Sequence, residues 1–395
     1  MLHFDPSSAV SLVALCLCFV LVCVFEFANG FHDTANAVAT VIYTNSLKPT
    51  VAVVWSGLMN LLGVILGGIS VAYALVELLP PDVLSPPSGN PAVPMLVALF
   101  GTALAWNLMT WWFGIPNSSS HCVIGSLVGI AIGDSFVHAR ELGHSVDWSQ
   151  IWKVLRALAV SPLLGFVGAL LLYFLIRSLV KMPEMYKAPT PEQKPNPIVR
   201  GVLVLTCTLV SFSHGSNDGQ KSIGLIMLTI IGIMPATFAL NPAAPVSIQQ
   251  IRQDAQQALP LVTQYDRYSF KEDAIASINR LSQTDGPSEI PAELRGDVYQ
   301  VLSGLRSVAD NPAASGAEKK QASRLASELR PTVEYAPGWV RLLSALCLGI
   351  GTMVGYKRIV RTPGDGIGTT HLTPAPGAAS EVVGAGLIMT AGYTG

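Results

Sequence analysis

Two polar strings interrupt otherwise apolar sequence, and both carry residue types that can do chemistry inside a membrane. The first is N-G-F-H-D-T-A-N at Asn29–Asn36, and the second is H-G-S-N-D-G-Q-K at His214–Lys221. In each string an aspartate, Asp33 or Asp218, follows the glycine by three residues. Because an ionisable side chain is costly within a bilayer, an acid placed there is functional by default. The strings therefore predict a polar site built from two matched halves.

The side chains of the two strings suit a small oxyanion that moves with a coupling ion. A carboxylate binds a cation, accepts a proton, or accepts a hydrogen bond from a protonated oxyanion. Asparagine donates hydrogen bonds to an oxyanion, and lysine adds positive charge. The predicted substrate-binding residues of the strings are Asp33, Asn36, Asn217, Asp218 and Lys221. The alternative makes each aspartate the N-cap of a helix at the membrane surface.

A third polar segment reads G-I-P-N-S-S-S-H at Gly114–His121. Pro116 ends any preceding helix, so Ser118, Ser119 and Ser120 stand where the next helix starts. Hydroxyls, free backbone N–H groups and the positive end of the helix dipole converge at such a place. We expect these three serines to bind the anion; a serine N-cap at the membrane surface is the alternative.

Acids and histidines near these segments are the candidates for carrying a coupling proton or cation. The predicted coupling residues are Asp33, Asp218, Glu26, His32 and His121. For Glu26 the alternative is an interfacial acid, and for His121 a satisfied helix histidine. Lys221 takes the place of Asn36 in the second string, which suggests that a fixed cation replaces one bound coupling ion.

The elements that must position these segments are membrane-spanning helices. Half of the 395 residues are hydrophobic and only 12% are charged, against about 25% in soluble proteins. Uncharged runs of 19 to 27 residues occur; about 20 span a bilayer, and a lone spanning segment must be helical. These runs are Thr50–Val76, Ala92–Phe113, Ala157–Ile176 and Ser222–Leu240. Ser8–Ala28 is interpreted as a further retained span, not a cleaved signal peptide.

The predicted fold class is an all-α polytopic membrane protein, an inverted-repeat transporter with broken helices at the midplane. Glycine in each string would permit the break and expose backbone groups to a cavity. The net charge of -1 indicates no nucleic-acid partner. The six cysteines lack metal-ligand or disulfide spacing, so we expect no metal site and no cofactor.

The chain divides at changes of composition. The predicted segments are a first membrane repeat at 1–180, a basic linker at 181–200, the start of a second membrane repeat at 201–240, a charged extramembrane insertion at 241–337, and the continued second repeat at 338–395. The insertion has 10 Lys/Arg and 12 Asp/Glu, and Ile248–Ala258 and Ala317–Leu329 are typical of amphipathic helices.

These segments together resemble the PiT family of inorganic phosphate transporters, especially the bacterial low-affinity phosphate permeases. The matching segments are F-H-D-T-A-N-A-V-A-T at 31–40, P-N-S-S-S-H at 116–121, H-G-S-N-D-G-Q-K-S-I-G at 214–224 and G-T-M-V-G-Y-K-R at 351–358. The resemblance implies a multi-pass protein of the bacterial inner membrane, a homodimer. It implies symport of inorganic phosphate with protons or a cation, or as a metal–phosphate complex, and no enzymatic activity.

One departure from the family pattern concerns the second repeat, whose own serine/threonine-His turn is not found. Gly368–Leu372 contains T-T-H, but no apolar run broken by proline precedes it. We therefore expect the closing C-terminal helices to be missing and half of the site to be absent. A transport-incompetent remnant is one alternative; a transporter of sulfate or another oxyanion is a second, and an intramembrane phosphatase a third.

Overall fold

The computed structural model describes residues 9–69, 72–73, 93–137, 148–187, 194–233, 241–265 without 242 and 245, 271–283, 292–361 and 372–394. Within these residues every regular element is a helix, as the sequence predicts. The helices up to residue 233 are α1 (Ala9–Tyr43), α2 (Pro49–Leu66), α3 (Val93–Trp112), α4 (Ser119–Val137), α5 (Trp148–Leu179) and α6 (Pro197–Ile233). A 3-10 turn covers Pro183–Met185.

The remaining helices are α7 (Ile248–Tyr265), α8 (Lys271–Gln283), α9 (Ala292–Asp310), α10 (Gly316–Val333), α11 (Gly338–Val354), α12 (Tyr356–Arg361) and α13 (Pro374–Thr394). They fall into two compact units. One contains α7–α10, and the other contains α11–α13 with the greater part of α1–α6. Gly368–His371, part of the T-T-H segment weighed above, lies outside the described residues.

The unit of α1–α6 and α11–α13 is built from apolar helices. Five described segments are long and apolar enough to cross a bilayer: Leu12–Tyr43, Pro49–Leu66, Pro94–Trp112, Leu155–Leu179 and Pro197–Ile230. On α5, Phe166 and Leu171 are 69% and 63% exposed. Such exposure suits contact with lipid, so the polytopic membrane fold class is confirmed.

The expected breaks in the helices at the polar strings are wrong. The first string lies within α1, which is continuous from Ala9 to Tyr43, and the second lies within α6, continuous from Pro197 to Ile233. Each string and the apolar residues on both sides of it therefore belong to one helix. The second of these helices, α6, begins inside the segment 181–200 that was predicted as a linker. Neither aspartate stands at a helix start, which excludes the N-cap alternative for both.

The glycines of the strings serve close helix packing instead. A Cβ added at Gly30 on α1 would lie 2.7 Å from the Leu348 carbonyl oxygen of α11. A Cβ added at Gly215 on α6 would lie 2.1 Å from the Asn60 carbonyl oxygen of α2. Real side-chain carbons do not approach backbone atoms so closely, because packed interiors leave no such overlap. Each glycine therefore allows its helix to touch the neighbouring backbone.

The helices that face Gly30 and Gly215 also carry a glycine at the contact. A Cβ at Gly351 on α11 would lie 2.1 Å from the Phe27 carbonyl oxygen, and one at Gly63 on α2 would lie 2.3 Å from that of Phe212. Phe27 and Phe212 each precede the string glycine by three residues. The packing of α1 on α11 therefore repeats, position by position, in the packing of α6 on α2.

The unit of α7–α10 has the amphipathic character predicted for its two named segments, which α7 and α10 cover. Apolar side chains fill its interior, among them Val262 and Leu305, both fully buried. Ser315 and Glu318 form a capping box at the start of α10, in which each side chain bonds the other residue's backbone N–H. The chain after α10 is held by Glu334, whose carboxylate is 3% exposed.

Removal of the Glu334 carboxylate is expected to loosen this unit. Glu334 accepts a hydrogen bond of 2.5 Å from Arg306 Nη2 and another from Arg330 Nε. Bonds to charged groups contribute about 2 kcal/mol each, so Glu334→Ala should speed amide exchange across α7–α10 in the full-length protein. Glu328→Ala is the matched control, because its 3.7 Å pair with Arg324 is exposed and such pairs add little. Equal exchange in the two variants would contradict the prediction.

Candidate functional site

The aspartates of the two strings meet through a histidine. His214 on α6 places Nε2 3.1 Å from Asp33 Oδ1 of α1 and 3.5 Å from Asp218 Oδ2, one helical turn further along α6. Both aspartates are 7% exposed. Two long helices thus bring together acids that are 185 residues apart in the sequence (218 − 33 = 185).

Lys221 connects this acid pair to the serine segment. Its Nζ donates to Asp218 Oδ1 and to the Ser120 hydroxyl. The Lys221 side chain is 15% exposed and that of Asp218 is 10% exposed, so the ion pair is mostly screened from solvent. A desolvated pair of opposite charges interacts more strongly than the same pair in water. The second string therefore meets the serine segment at Lys221 and the first string at His214.

The serine segment has the predicted form. The chain leaves α3 at Trp112, turns at Gly114 with φ of 68°, passes Pro116, and begins α4 at Ser119. A left-handed φ of this kind favours glycine. The carbonyl oxygen of Ser118 accepts the first hydrogen bond of α4, from Cys122 N. The N-terminus of a 19-residue helix therefore lies beside Lys221.

The three serines have different surroundings. Ser120 accepts the Lys221 bond, Ser119 is 5% exposed, and the Ser118 hydroxyl lies 2.6 Å from His121 Nδ1. The His121 backbone N–H also donates to Ser118, at 3.4 Å. Ser118 thus serves as the helix cap. His121 is exposed and pairs with this cap rather than with the acids.

Glu26 extends the buried acidic surface along α1. It is 2% exposed, faces the Ser222 side chain of α6, and lies within electrostatic range of Asp33 and Asp218. Its Oε1 atom and Oδ2 of Asp33 are buried, and among the described residues neither atom has a hydrogen-bond partner. Buried polar atoms normally have partners, so these two oxygens are positioned to receive a proton, a cation or a hydroxyl of a bound ligand.

Other predicted residues do not join this cluster. His32 is 3% exposed, and its Nε2 lies 3.0 Å from the Asn107 carbonyl oxygen of α3. Asn107 in turn accepts a 2.6 Å bond from Asn117, in the turn before α4. Asn36 is exposed and Asn217 partly buried; among the contacts described for this chain, neither reaches the two aspartates. The site therefore centres on Asp33, Asp218, Lys221 and Ser120.

Two ionisable groups of this helical unit were not singled out from the sequence. His214 begins the second string, and its position four residues before Asp218 on one helix face was the available signal. Glu381 on α13 is 5% exposed; it accepts a 2.5 Å bond from Thr206 of α6 and lies within bonding reach of Thr40 of α1. It is an acid inside a long uncharged run, which was a usable signal.

The arrangement combines anion-binding and cation-binding groups. Asp33, His214 and Asp218 offer ligand atoms that all lie within 4.8 Å of one another, a spacing that suits a cation. Lys221, Ser120 and the start of α4 offer donors that suit an oxyanion. Donors for an oxyanion and ligands for a cation therefore lie in one cluster.

Comparison with known proteins gives a consistent assignment. The family described as the phosphate transporter family matches residues 29–395. The low-affinity inorganic phosphate transporters PitB and PitA of Escherichia coli K12 are each 34% identical over 97% of this chain and 86% of theirs. The low-affinity inorganic phosphate transporter of Buchnera aphidicola from Acyrthosiphon pisum is 33% identical over 100% and 88%. A solved structure titled "The sodium-dependent phosphate transporter" aligns at 16% identity and a TM-score of 0.45, covering 95% of this chain and 99% of that one.

Proposed function

This chain belongs to the phosphate transporter family and transports inorganic phosphate, and we propose that it does so as a secondary active symporter driven by protons or a cation. It is a multi-pass membrane protein and not an enzyme. The observation that carries the proposal is the buried cluster of Asp33, His214, Asp218, Lys221 and Ser120. Anion donors and cation ligands lie side by side there, as co-transport of the two requires.

Phosphate is proposed to bind between the start of α4 and the acid pair. Ser120 and Lys221 would donate to its oxygens, and the backbone N–H groups at the start of α4 would add to them. Near neutral pH phosphate still carries a hydroxyl, which can donate to a carboxylate oxygen such as the unpartnered Oδ2 of Asp33. Sulfate has no such hydroxyl. The pair of acids therefore favours phosphate over sulfate. The full proposed binding set is Asp33, Asn36, Ser118, Ser119, Ser120, Asn217, Asp218 and Lys221.

The coupling ion is proposed to use the carboxylates. Asp33 and Asp218 share His214, and Glu26, which lies within electrostatic range of both aspartates, is proposed to take part in binding the coupling ion. Entry of a positive ion would offset the charge of phosphate within a medium where an isolated charge is unfavourable. His32 and His121 are also proposed as coupling residues, which would act from outside the cluster of Asp33, His214 and Asp218. The transported species is free phosphate or its metal complex, and uptake with and without Mg²⁺ distinguishes the two.

The two halves of the site are proposed to be inverted repeats. The support is the matched packing of α1 on α11 and of α6 on α2, at Gly30 and Gly215. Contacts of α6 with α1 and with the residues just after α1 also run in opposite order along the two segments, from Asp33 with His214 to Ser46 with Arg200. Antiparallel related helices around a central site suit alternating access. The homodimer implied by the family resemblance is tested by native mass spectrometry of the purified protein.

The function is tested by uptake of radiolabelled phosphate into proteoliposomes that contain the purified chain. Symport predicts accumulation when a proton or cation gradient is imposed and loss of accumulation when an ionophore collapses it. Unlabelled phosphate should compete with the label, and sulfate should not. Phosphate accumulation that does not change with any imposed gradient would contradict symport. Equal competition by sulfate would contradict the assignment of phosphate as the substrate.

Replacement of the three serines by alanine is expected to weaken phosphate binding. The Ser118/Ser119/Ser120 triple alanine variant should raise the half-saturation concentration for phosphate about tenfold, since it removes hydroxyl donors to a charged ligand. Ser120→Ala alone should produce most of this change, because Ser120 contacts Lys221. Ser126→Ala, on the same helix but bonded to the Cys122 carbonyl oxygen, is the control. An unchanged half-saturation concentration in the triple variant would refute the serine site.

A further inference from the structure

The helices α1 and α11 lie side by side in a regular register. Contacts that advance by four residues along both segments join Phe27 to Gly351 and Phe31 to Gly355. One step earlier in the same register stand Cys23 of α1 and Cys347 of α11. Residues four apart lie on one face of a helix, so the register places these two cysteines opposite each other.

The thiol groups of these two cysteines are in contact. Cys23 Sγ and Cys347 Sγ lie within hydrogen-bonding reach of each other, and both side chains are partly exposed. A disulfide forms without backbone movement only where two backbones already lie close together. Gly351, one turn after Cys347, supplies that closeness, because a Cβ there would lie 2.1 Å from the Phe27 carbonyl oxygen. The two cysteines are 324 residues apart in the sequence (347 − 23 = 324), so their spacing did not reveal the pair.

The cysteine pair lies beside an acid of the candidate site. Glu26, three residues after Cys23 on α1, is within electrostatic range of both thiols. The pair also joins the two proposed repeats, since α1 lies in the first and α11 in the second. The equivalent residue of the other half is not a cysteine: adding 185 to 23 gives Thr208 of α6, which accepts a 2.8 Å bond from Trp55 of α2. A covalent bond between Cys23 and Cys347 would therefore tie the repeats together on one side only.

We propose that Cys23 and Cys347 are a modification site, a dithiol that hydrogen peroxide oxidises to a disulfide, and that this disulfide stops phosphate uptake. The inference rests on the proposed function, in which the two repeats move relative to each other. One sulfur attacks the peroxide, the O–O bond breaks, and a sulfenic acid and water form. The second sulfur then displaces the hydroxyl group as water and forms the S–S bond, so the peroxide is reduced as the two thiols are oxidised. A thiol reductant reverses the modification by thiol–disulfide exchange.

The test compares reduced and peroxide-treated proteoliposomes that contain the purified chain. In the wild type, peroxide should lower the initial rate of phosphate uptake about tenfold or more, because a covalent link between the repeats opposes alternating access. A thiol reductant should restore the rate. Cys23→Ser and Cys347→Ser should transport like the reduced wild type and keep that rate in peroxide. Cys16→Ser, which removes an exposed cysteine of the same helix α1, is the matched control and should remain sensitive to peroxide.

Mass spectrometry of the digested protein reads the disulfide without any transport. The peptides that contain Cys23 and Cys347 should be joined after peroxide and separate after the reductant. If these peptides never join, or if they join while uptake stays unchanged, the proposal is wrong. Inhibition by peroxide that persists in Cys23→Ser would also overturn it. No uptake by the reduced wild type in any gradient would instead contradict the proposed function, and the joined peptides would still report the modification.

Discussion

Replacing either Asp33 or Asp218 with asparagine is expected to abolish phosphate uptake while the protein still inserts into the membrane. Asp33→Asn leaves His214 with one carboxylate, and Asp218→Asn leaves the Lys221 ammonium without its ion-pair partner. Removing one partner from a buried charged pair costs about 3 kcal/mol or more of stability at the site, and loss of a carboxylate that binds the coupling ion should lower the uptake rate by about a hundredfold or more. The measurement is the initial rate of radiolabelled phosphate uptake, normalised to the amount of protein in the membrane.

The control for this prediction is an aspartate outside the cluster. Asp310 is exposed at the end of α9, so Asp310→Asn should transport at the wild-type rate. Membrane fractions should contain all three variants in similar amounts, because asparagine is nearly isosteric with aspartate and easier to bury. Wild-type uptake by both Asp33→Asn and Asp218→Asn would refute the role of the paired acids in coupling.

Adding a single methyl group at Gly215 or Gly30 is expected to disrupt the packing that forms the site. The new Cβ at Gly215 would lie 2.1 Å from the Asn60 carbonyl oxygen, and the one at Gly30 would lie 2.5 Å from the Thr352 backbone nitrogen. The obstacle in both cases is backbone, which moves only with its helix. Overpacking of this kind costs about 1–3 kcal/mol or more. Gly215→Ala and Gly30→Ala should therefore melt at lower temperature in detergent and lose most of their uptake.

Gly201 supplies a matched control on the same helix as Gly215. Within the part of the chain that the structure describes, a Cβ there meets no atom within 4 Å, and alanine is favoured over glycine inside a helix by about 0.5–1 kcal/mol. Gly201→Ala should therefore melt at the wild-type temperature or slightly above it. Wild-type stability and uptake in Gly30→Ala and Gly215→Ala would mean that α1 and α6 do not contact their neighbours as described.

Much of the architecture could be predicted from local sequence. The uncharged runs predicted α2, α3 and α5, because a lone segment within a bilayer satisfies its backbone hydrogen bonds only as a helix. Pro116 and the serines after it located the start of α4, since proline removes a backbone donor that a preceding helix needs. The aspartates of the two strings were identified as one site because an acid in an apolar run has few structural uses.

Local sequence did not determine the structural role of Gly30 and Gly215, the glycines of the two strings. A glycine inside a polar string fits both a broken helix and a close helix crossing, since both need the absence of a side chain. The choice depends on whether another backbone faces it. Only the tertiary structure places Leu348 against Gly30 and Asn60 against Gly215, and it keeps α1 and α6 unbroken.

The paired polar strings therefore predicted by themselves a two-part site around Asp33 and Asp218. The tertiary structure decided which other side chains reach that site. It placed His214 against Asp33 and Lys221 against Ser120, and it left Asn36 exposed. The two contacts depend on the rotation and depth at which separate helices pack. No spacing within one helix encodes them, because the two residues of each contact lie on helices about 100 residues or more apart in the sequence.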